Sequence, residues 1–523
     1  MLSNTKNIEL NEQFIKALDV MESTAKNVFI TGKAGTGKST LLNHFRKNTK
    51  KKIAVLAPTG TAAVNIKGQT IHSFFKFRPD VTLASIGIKK KSPDNKKENI
   101  YKTLDAIVID EISMVRADLL DCIDKFLRLN GKETSKPFGG LQIIFIGDLY
   151  QLPPIVLRQE KEIFKSHYAT PYFFSAHCFE GLEMEFIELD KIYRQSDLKF
   201  IQLLNAIRNN SIVDSEIAII NERYDESFEP AVNDFYIYLT TTNANAELIN
   251  SQRLSVIKTK EFTFTGTIEG NFAKDQLPTL VDLKLKLGSQ VMMLNNDSNG
   301  RFINGTIGKI TAIDTDYEIP KLVILLETGK KISVSPYTWE SYNFYLEGAE
   351  LKSSITGTFT QYPVMLAWAI TIHKSQGKTF DKAILDIGKG TFAHGQMYVA
   401  LSRCTGLEGL VLKKKIAKKH IWMDFNVVKF VTDYQYKKSE ALCPTAEKIK
   451  IIEEAIKNKS TINVTYLKAN DEKSNRLLQP TIIGEMQYLG KAYTGVKAFC
   501  LKRQEYRIFK VDRMLEISHY FDN

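Results

Sequence analysis

Gly32-Lys33-Ala34-Gly35-Thr36-Gly37-Lys38-Ser39 carries residue types whose spacing dictates a chemistry at once. It has the G-x-x-x-x-G-K-S pattern, preceded by the β-rich "VFITG" (28–32) and followed by "KSTLLNHFRK" (38–47), whose apolar spacing suits a helix. The glycines let backbone N–H groups wrap phosphates, and the helix N-terminus adds its dipole. Lys38 would neutralise the β- and γ-phosphates, and the Ser39 hydroxyl would ligate Mg²⁺. Gly32, Gly35, Thr36, Gly37, Lys38, Ser39 and Thr40 are therefore the expected phosphate-binding set.

A magnesium partner belongs at the end of another apolar strand. "LDAIVIDEISM" (104–114) supplies Asp110 as the second metal-side carboxylate and Glu111 as base or orienter of the attacking water. An acidic pair after a strand also serves as a helix cap, and the upstream loop decides for the catalytic reading. A third strand, "LQIIFIGDLYQLPP" (141–154), ends in Gly147-Asp148 and then Gln151, an uncharged side chain able to hydrogen-bond a γ-phosphate or its water. Strands alternating with helical stretches give a parallel α/β sheet whose ligands collect beyond the carboxyl ends of the strands. All three loops fall there, which predicts an ATP- or GTP-hydrolysing domain.

A second stretch, "AITIHKSQGKT" (369–379), also ends in Gly-Lys-Thr. Its first pattern glycine would stand at Ile372, and one glycine remains where three serve the first loop. A second nucleotide site is therefore not expected. A polar loop after the strand "VMLAWAIT" (364–371) suits gripping phosphodiesters. By pattern alone, a plain polar strand-to-helix connection with a capped helix is the favoured reading.

The elements that must position these residues exceed one core. The chain has 523 residues, 43% hydrophobic and 25% charged, which is ordinary globular composition with room for several domains. Seventy-one Lys and Arg against 59 Asp and Glu give +12, favouring a polyanionic partner. Lysine runs at 89–97 and 413–420 read as solvated surface. Five scattered cysteines without a C-x-x-C pair argue against disulfide frameworks and zinc sites. No apolar run approaches the ~18 residues of a membrane span, and "MLSNTKNIELNEQ" has no signal character. No membrane association and a cytoplasmic location are the expectation.

"APTGTAA" (57–63), "GQTIHSFF" (68–75), "DEISM" (110–114), "GDLYQLPP" (147–154), "LDKIYRQ" (189–195), "AITIHKSQGKT" and "GQMYVALSRCTGLEGL" (395–410) follow the first loop in series. The set resembles the Pif family of DNA helicases, in the RecD-like branch of superfamily one, over roughly residues 8–430. "KPFGGLQ" (136–142) is similar to the end of that family's signature segment. The resemblance implies an ATP-dependent helicase moving 5′ to 3′ on single-stranded DNA and opening tailed or structured duplexes, with ATP and Mg²⁺ as cofactors and a monomer in solution. It implies catalytic roles for Lys38, Asp110, Glu111, Gln151, Arg194 and Arg403, the two arginines as fingers reaching the γ-phosphate. Gln13 becomes the adenine reader, Gly377 joins the nucleotide-binding set, and Ser39 and Asp110 hold the metal. DNA contacts fall on Thr59, His72, Phe74, His373 and Ser375. Phe74 or Phe75 would stack on a base, or else both are core.

The implied fold class is α/β, with two RecA-like P-loop motor domains, a small SH3-like β-barrel insertion and a C-terminal β-rich barrel. The boundaries are 1–187 for the first motor domain, with a small wedge near 62–75, then 188–280 and 363–432 for the second. Residues 281–362 form the insertion, where Asn304-Gly305 signals a tight turn. A linker and helix at 433–459 lead to a barrel at 460–523. The barrel is similar to a WYL domain through "RLLQP" (476–480) and "RIFKVDRM" (507–514), with Thr494-Gly495-Val496 in place of the name-giving triplet. Some of Arg503, Arg507, Lys510 and Arg513 would share a basic face for single-stranded DNA, or else be paired or solvated.

Overall fold

The computed structural model describes the chain apart from residues 1–10, 79–80, 88–99, 157–159, 196, 232–233, 275–276, 298, 315–316, 348–349, 389, 392, 489 and 521–523. The lysine run at 89–97 lies outside the described residues. Two compact units emerge, one of Met1–Arg208 with Ile212–Trp422, the other of Asn209–Ser211 with Met423–Asn523.

In the first unit, Asn27–Gly32, Ile53–Ala57, Gln69–Thr70, Ala106–Ile109, Gln142–Ile146 and Met184–Leu189 form one parallel sheet. Its inner strands are β-branched and buried along their whole length (Val28, Ile30, Val108, Ile144, Ile146), as a sheet covered on both faces requires. Truncating one of them, such as Ile144, to Ala costs about 2–5 kcal/mol. The register sets Val28 beside Ile144 and Val55 beside Val108. The phosphate loop, Asp110 and Gly147-Asp148 thereby leave the sheet at the same edge. The expected wedge near 62–75 is tied into this sheet, because Gln69–Thr70 pairs with the strand Ile53–Ala57. Met184–Leu189 pairs along its full length with Asn27–Gly32 and so runs past the expected boundary at 187.

A second parallel sheet orders its strands as Ala369–Thr371, Ile237–Thr240, Ala383–Asp386 and Leu410–Leu412. Inserted in it is an antiparallel region with its own core of Leu283, Val291, Ile310, Ile324 and Val364. This region is wider than 281–362. Glu261–Thr265 pairs with Asp282–Lys286, and Thr267–Gly270 pairs with Glu350–Gln361. The run expected as a single strand at 364–371 is two. Val364–Leu366 joins the insertion antiparallel, while Ala369–Thr371 joins the second sheet in parallel. Apolar character specifies burial, and it does not say in which sheet.

The C-terminal unit opens with the helices Phe425–Leu442 and Thr445–Lys457. Five antiparallel strands follow, in the order Glu505–Lys510, Lys491–Cys500, Lys473–Tyr488, Ile462–Leu467 and Met514–His519. Ile452, Val464, Leu478, Val496, Ala498 and Phe509 fill the core beneath it. The four basic residues do not share a face. Within Glu505–Lys510, Arg507 falls on the same side as buried Phe509 and pairs with Glu505 at 2.7 Å, whereas Lys510 lies on the opposite side over the Tyr493 ring at 4.3 Å. Arg503 follows Cys500 in a turn, and Arg513 ends the short helical turn Val511–Arg513. Among the described residues no helix is long and apolar enough to cross a membrane.

Candidate nucleotide site

The phosphate loop turns between Asn27–Gly32 and the helix Lys38–Asn48, with Gly35 (φ +83°) and Gly37 (φ +86°) in the left-handed region that glycine tolerates. The Lys38 Nζ donates to the carbonyls of Gly32 at 2.6 Å and Lys33 at 3.0 Å. Burial pushes its pKa down, while Asp148 and Glu111 pull it back up. Thr36 is buried and donates to the Lys33 carbonyl at 2.9 Å, whereas Ser39 and Thr40 at the helix start are exposed.

Asp110 is buried at the end of its strand. Glu111 adopts φ +50°, a conformation that costs a non-glycine residue about 1–3 kcal/mol and is retained where the surroundings over-determine it. Both carboxyls are held above the usual range, first by burial. The neighbouring Glu111 charge raises Asp110 further, and Lys38 and Arg403 oppose the rise at Glu111. Gln151 is buried and its Nε2 donates to Asp148 Oδ2 at 3.3 Å.

The two expected arginine fingers arrive from beyond the first sheet. Arg194 Nη1 donates to the Ser402 carbonyl at 3.2 Å, and the position a Cβ would take on Gly35 lies 2.6 Å from Arg194 Cβ. Arg403 is 1% exposed, with Nε on the Val399 carbonyl at 2.8 Å and Nη2 on Ser402 Oγ at 2.8 Å. Burial is the first cause depressing both guanidiniums, and Glu111 pulls each back up. The structure thus brings Lys38, Asp110, Glu111, Gln151, Arg194 and Arg403 into one polar cluster, with Asp110, Gln151 and Arg403 buried and the other three half-buried. It is a charge arrangement suited to a polyanion flanked by a carboxylate pair.

Two further side chains complete the cluster. Tyr398, 3% exposed, accepts a hydrogen bond from the Ala34 N–H at 2.8 Å. Arg208, also buried, lies 3.6 Å from Asp148 Oδ1 and 3.8 Å above the Tyr150 ring. Sequence reasoning missed both. Tyr398 stands inside the segment 395–410, where its hydroxyl was the one signal of a polar role. Arg208 ends the helix Leu198–Arg208 on its buried side, an unusual place for a cation.

Other expectations fare differently. The Gln13 amide is occupied at both ends by Asp190, donating to its Oδ2 at 2.8 Å and accepting from its N–H at 2.9 Å. The exposed ring of Tyr193, whose N–H donates to the Gly35 carbonyl, stands beside the phosphate loop. Gly377 (φ +74°) sits in a turn whose Ser375 and Lys378 carbonyls face Arg403 Nη1 at 3.5 and 3.4 Å, so it meets the cluster only through that arginine.

On the expected DNA side, Thr59 is exposed, and His72 and His373 are half-buried, the latter with its pKa lowered by burial. Phe74 is corrected to core. It is 6% exposed and packs edge-on against Phe75 and Tyr101, with Tyr101 Oη bonded to its carbonyl, so its ring is not open to a base. Ser375 is corrected likewise, because its buried hydroxyl donates to the Ile372 carbonyl at 2.7 Å. The lysine run at 413–420 is only partly solvated. Lys413 is largely enclosed, donates to the Glu226 carbonyl at 2.8 Å, and lines a cavity of about 890 Å³ with Tyr238 and Arg253.

A family model for PIF1-like helicases matches residues 7–217. An ATP-dependent DNA helicase Pif1 of Bdellovibrio bacteriovorus is 32% identical over 411 residues, covering 77% of this chain and 88% of that one. The chain belongs to the Pif1 helicase family. A Campylobacter jejuni Pif1 is 31% identical, with 78% and 95% covered. A Bacteroides Pif1 structure in complex with ADP-AlF4 superposes with a TM-score of 0.73 at 36% identity, covering 82% of this chain and 98% of that one. Bacteroides Pif1 bound to single-stranded DNA gives 0.61 at 37% identity with the same coverage. The chain therefore combines a mixed α/β region of Pif1 type with a separate β-rich C-terminal module, and a WYL domain model matches residues 447–518 of the latter. That match includes the helix Thr445–Lys457, whose Ile452 and Ala455 belong to the core of the module.

Proposed function

We propose that this Pif1-family chain is an ATP-dependent DNA helicase that moves 5′ to 3′ along single-stranded DNA and opens tailed or structured duplexes as a single chain. The observation that carries the reading is the meeting of Arg194 and Arg403 with Lys38 and Glu111 around the phosphate loop. One buried and one half-buried cation, with carbonyl and hydroxyl partners, suit a γ-phosphate, whose negative charge they would stabilise during transfer.

On this reading Lys38 leaves the Gly32 and Lys33 carbonyls for the β- and γ-phosphates, and Glu111 orients and deprotonates the attacking water. Gln151 bridges that water to Asp148. The donor set of Ser39 and Asp110, a hydroxyl and a carboxylate, fits a hard cation such as Mg²⁺. When bound, that ion would help neutralise the phosphate charge. Closure of the arginines on the phosphate alternately tightens the two sheets around it. The exposed Thr59 and half-buried His72 and His373, each near the end of a parallel strand, supply the grip on the DNA backbone.

The C-terminal module supports a second contact with single-stranded DNA, in which Lys510 is the one residue kept from the four basic ones first expected. One side of its sheet aligns Tyr493, Phe499 and Tyr506 with Lys497 and Lys510, Phe499 and Tyr506 lying 5.2 Å apart and Lys497 5.7 Å from Tyr506. Rings interleaved with cations are what sequence-tolerant strand binding uses.

The test is unwinding of a labelled duplex bearing a 5′ or a 3′ single-stranded tail, with ATP and magnesium. Opening from the 5′ tail alone is expected. Opening from the 3′ tail alone would reverse the polarity. Hydrolysis stimulated by DNA without any opening would make the chain a translocase that does not separate strands.

A further inference from the structure

The short helix Gln396–Leu401 is fastened at three places to parts of the nucleotide site. At its start, Gly395 lies so close to the Gln151 loop that a Cβ there would come within 2.4 Å of the Tyr150 and Gln151 carbonyl oxygens, and the neighbouring His394 Nε2 is 3.1 Å from the Leu149 carbonyl. In its middle, Tyr398 Oη accepts the Ala34 N–H at 2.8 Å. At its end, the Ser402 carbonyl receives Arg194 Nη1 and Gln195 Nε2, while Arg403 folds back onto the Val399 carbonyl. Arg403 is thus bonded to the same turn of helix that carries Tyr398.

The Ala34 N–H belongs to the phosphate loop itself. A phosphate that shifts this loop shifts the partner of Tyr398, and with it the helix to which Arg403 is bonded. Burial and the nearby Asp148 charge push the Tyr398 phenol up, so the hydroxyl stays protonated and neutral at working pH. A neutral acceptor can hold the loop N–H without adding a charge that would repel phosphate.

We infer that Tyr398 is a positioning residue for hydrolysis, its hydroxyl tethering the helix that carries Arg403 to Ala34 of the phosphate loop so that the arginine is set against the γ-phosphate. The inference rests on the ATP-hydrolysing reading above, and it adds a residue that acts through Arg403 and the phosphate loop.

Tyr398→Phe removes one oxygen and keeps the ring, so packing survives. In full-length protein with single-stranded DNA, its kcat for ATP should fall about tenfold, the size of one well-placed hydrogen bond, while KM and ADP affinity stay within about twofold. Affinity for ADP with aluminium fluoride, which imitates the transferring phosphoryl group, should fall in step with kcat. Because Tyr398 acts through Arg403, the double variant Tyr398→Phe/Arg403→Ala should be no slower than Arg403→Ala alone. An unchanged kcat in a hydrolysing background, a loss confined to KM, or simple multiplication of the two single losses would overturn the inference while leaving the helicase reading intact. A wild-type chain that does not hydrolyse ATP would overturn both.

Discussion

Two loops of this chain end in Gly-Lys followed by a hydroxyl residue, and the structure gives their lysines opposite tasks. Lys38 is wrapped by its own loop, its ammonium on the Gly32 and Lys33 carbonyls beside Asp110 and Glu111. Lys378 is the more deeply buried and donates at 2.7 Å to Asn304 Oδ1, in the turn that the insertion sends toward it. Gly305 of that turn lies against the Lys378 stem, its Cβ position 3.5 Å from Lys378 Cβ. The first loop sets Gly35 and Gly37 in the left-handed region and can aim several N–H groups inward; the second sets only Gly377 there and supplies carbonyls to Arg403. Equal letters therefore give a phosphate cradle in one place and a strut in the other. What separates them is how many residues can adopt left-handed backbone.

The sharpest way to break this contrast is to remove each lysine in turn. Lys38→Ala should lower ATP turnover by about a thousandfold or more, since the phosphate charge then has no ammonium at its centre. Lys378→Met should keep turnover within about threefold and nucleotide affinity unchanged, with its defect in strand opening. Fluorescent-nucleotide binding and steady-state hydrolysis measure both. A loss of nucleotide binding in Lys378→Met comparable to that in Lys38→Ala would mean two nucleotide sites after all.

The glycines should show the same asymmetry on a smaller scale. In Gly35→Ala a methyl group would have to fit 2.6 Å from Arg194 Cβ on a backbone at φ +83°, so both the loop and the arginine must move. At least a tenfold fall in kcat/KM for ATP is expected. Gly377 also has positive φ but open space where a Cβ would go. Gly377→Ala should cost only the left-handed backbone preference, about 1 kcal/mol of stability, with hydrolysis within about twofold. Equal losses in the two variants would show that backbone freedom, not crowding near Arg194, limits the first loop.

These contrasts follow what the sequence makes visible. The cradle is local: eight consecutive residues, a strand before and a helix after, so Gly32–Ser39 and its sheet are readable without any contact map. Asp110 and Gln151 are readable because parallel strands deliver their following loops to a common edge. Arg194 and Arg403 became legible only through the resemblance to Pif helicases, because a lone arginine carries no local signal of what it faces. Tyr398 and Arg208 depend on partners distant in sequence, Ala34 and Asp148. Phe74 and Ser375 misled for a related reason. An aromatic residue or a hydroxyl next to a polar loop suits a ligand, yet the partners were the Phe75 and Tyr101 rings in one case and the Ile372 carbonyl in the other. The insertion was recognisable by its turns, but its extent was not, since Glu261–Thr265 and Val364–Leu366 declare themselves only by their pairing partners.

The buried strut has a consequence for stability that leaves turnover aside. Burial lowers Lys378 from the usual 10.5 to about 8. Between those values the unfolded chain binds the proton and the folded one does not, so this residue makes stability rise with pH across that window. Below about pH 8 both states are protonated, and the folded protein bears the full cost of an ammonium whose partner is a neutral amide. Lys378→Met has no such proton to lose. The difference in thermal midpoint, wild type minus Lys378→Met, should therefore grow more positive as pH is raised from 7.5 to 9.5, by on the order of 2 kcal/mol in stability. Taking the difference between the two proteins cancels every other titrating group, Lys38 included. A flat difference would mean that Asn304 stabilises the charge as well as water does. The second loop would then be a formed cation site resembling the first more closely than its glycine content allows.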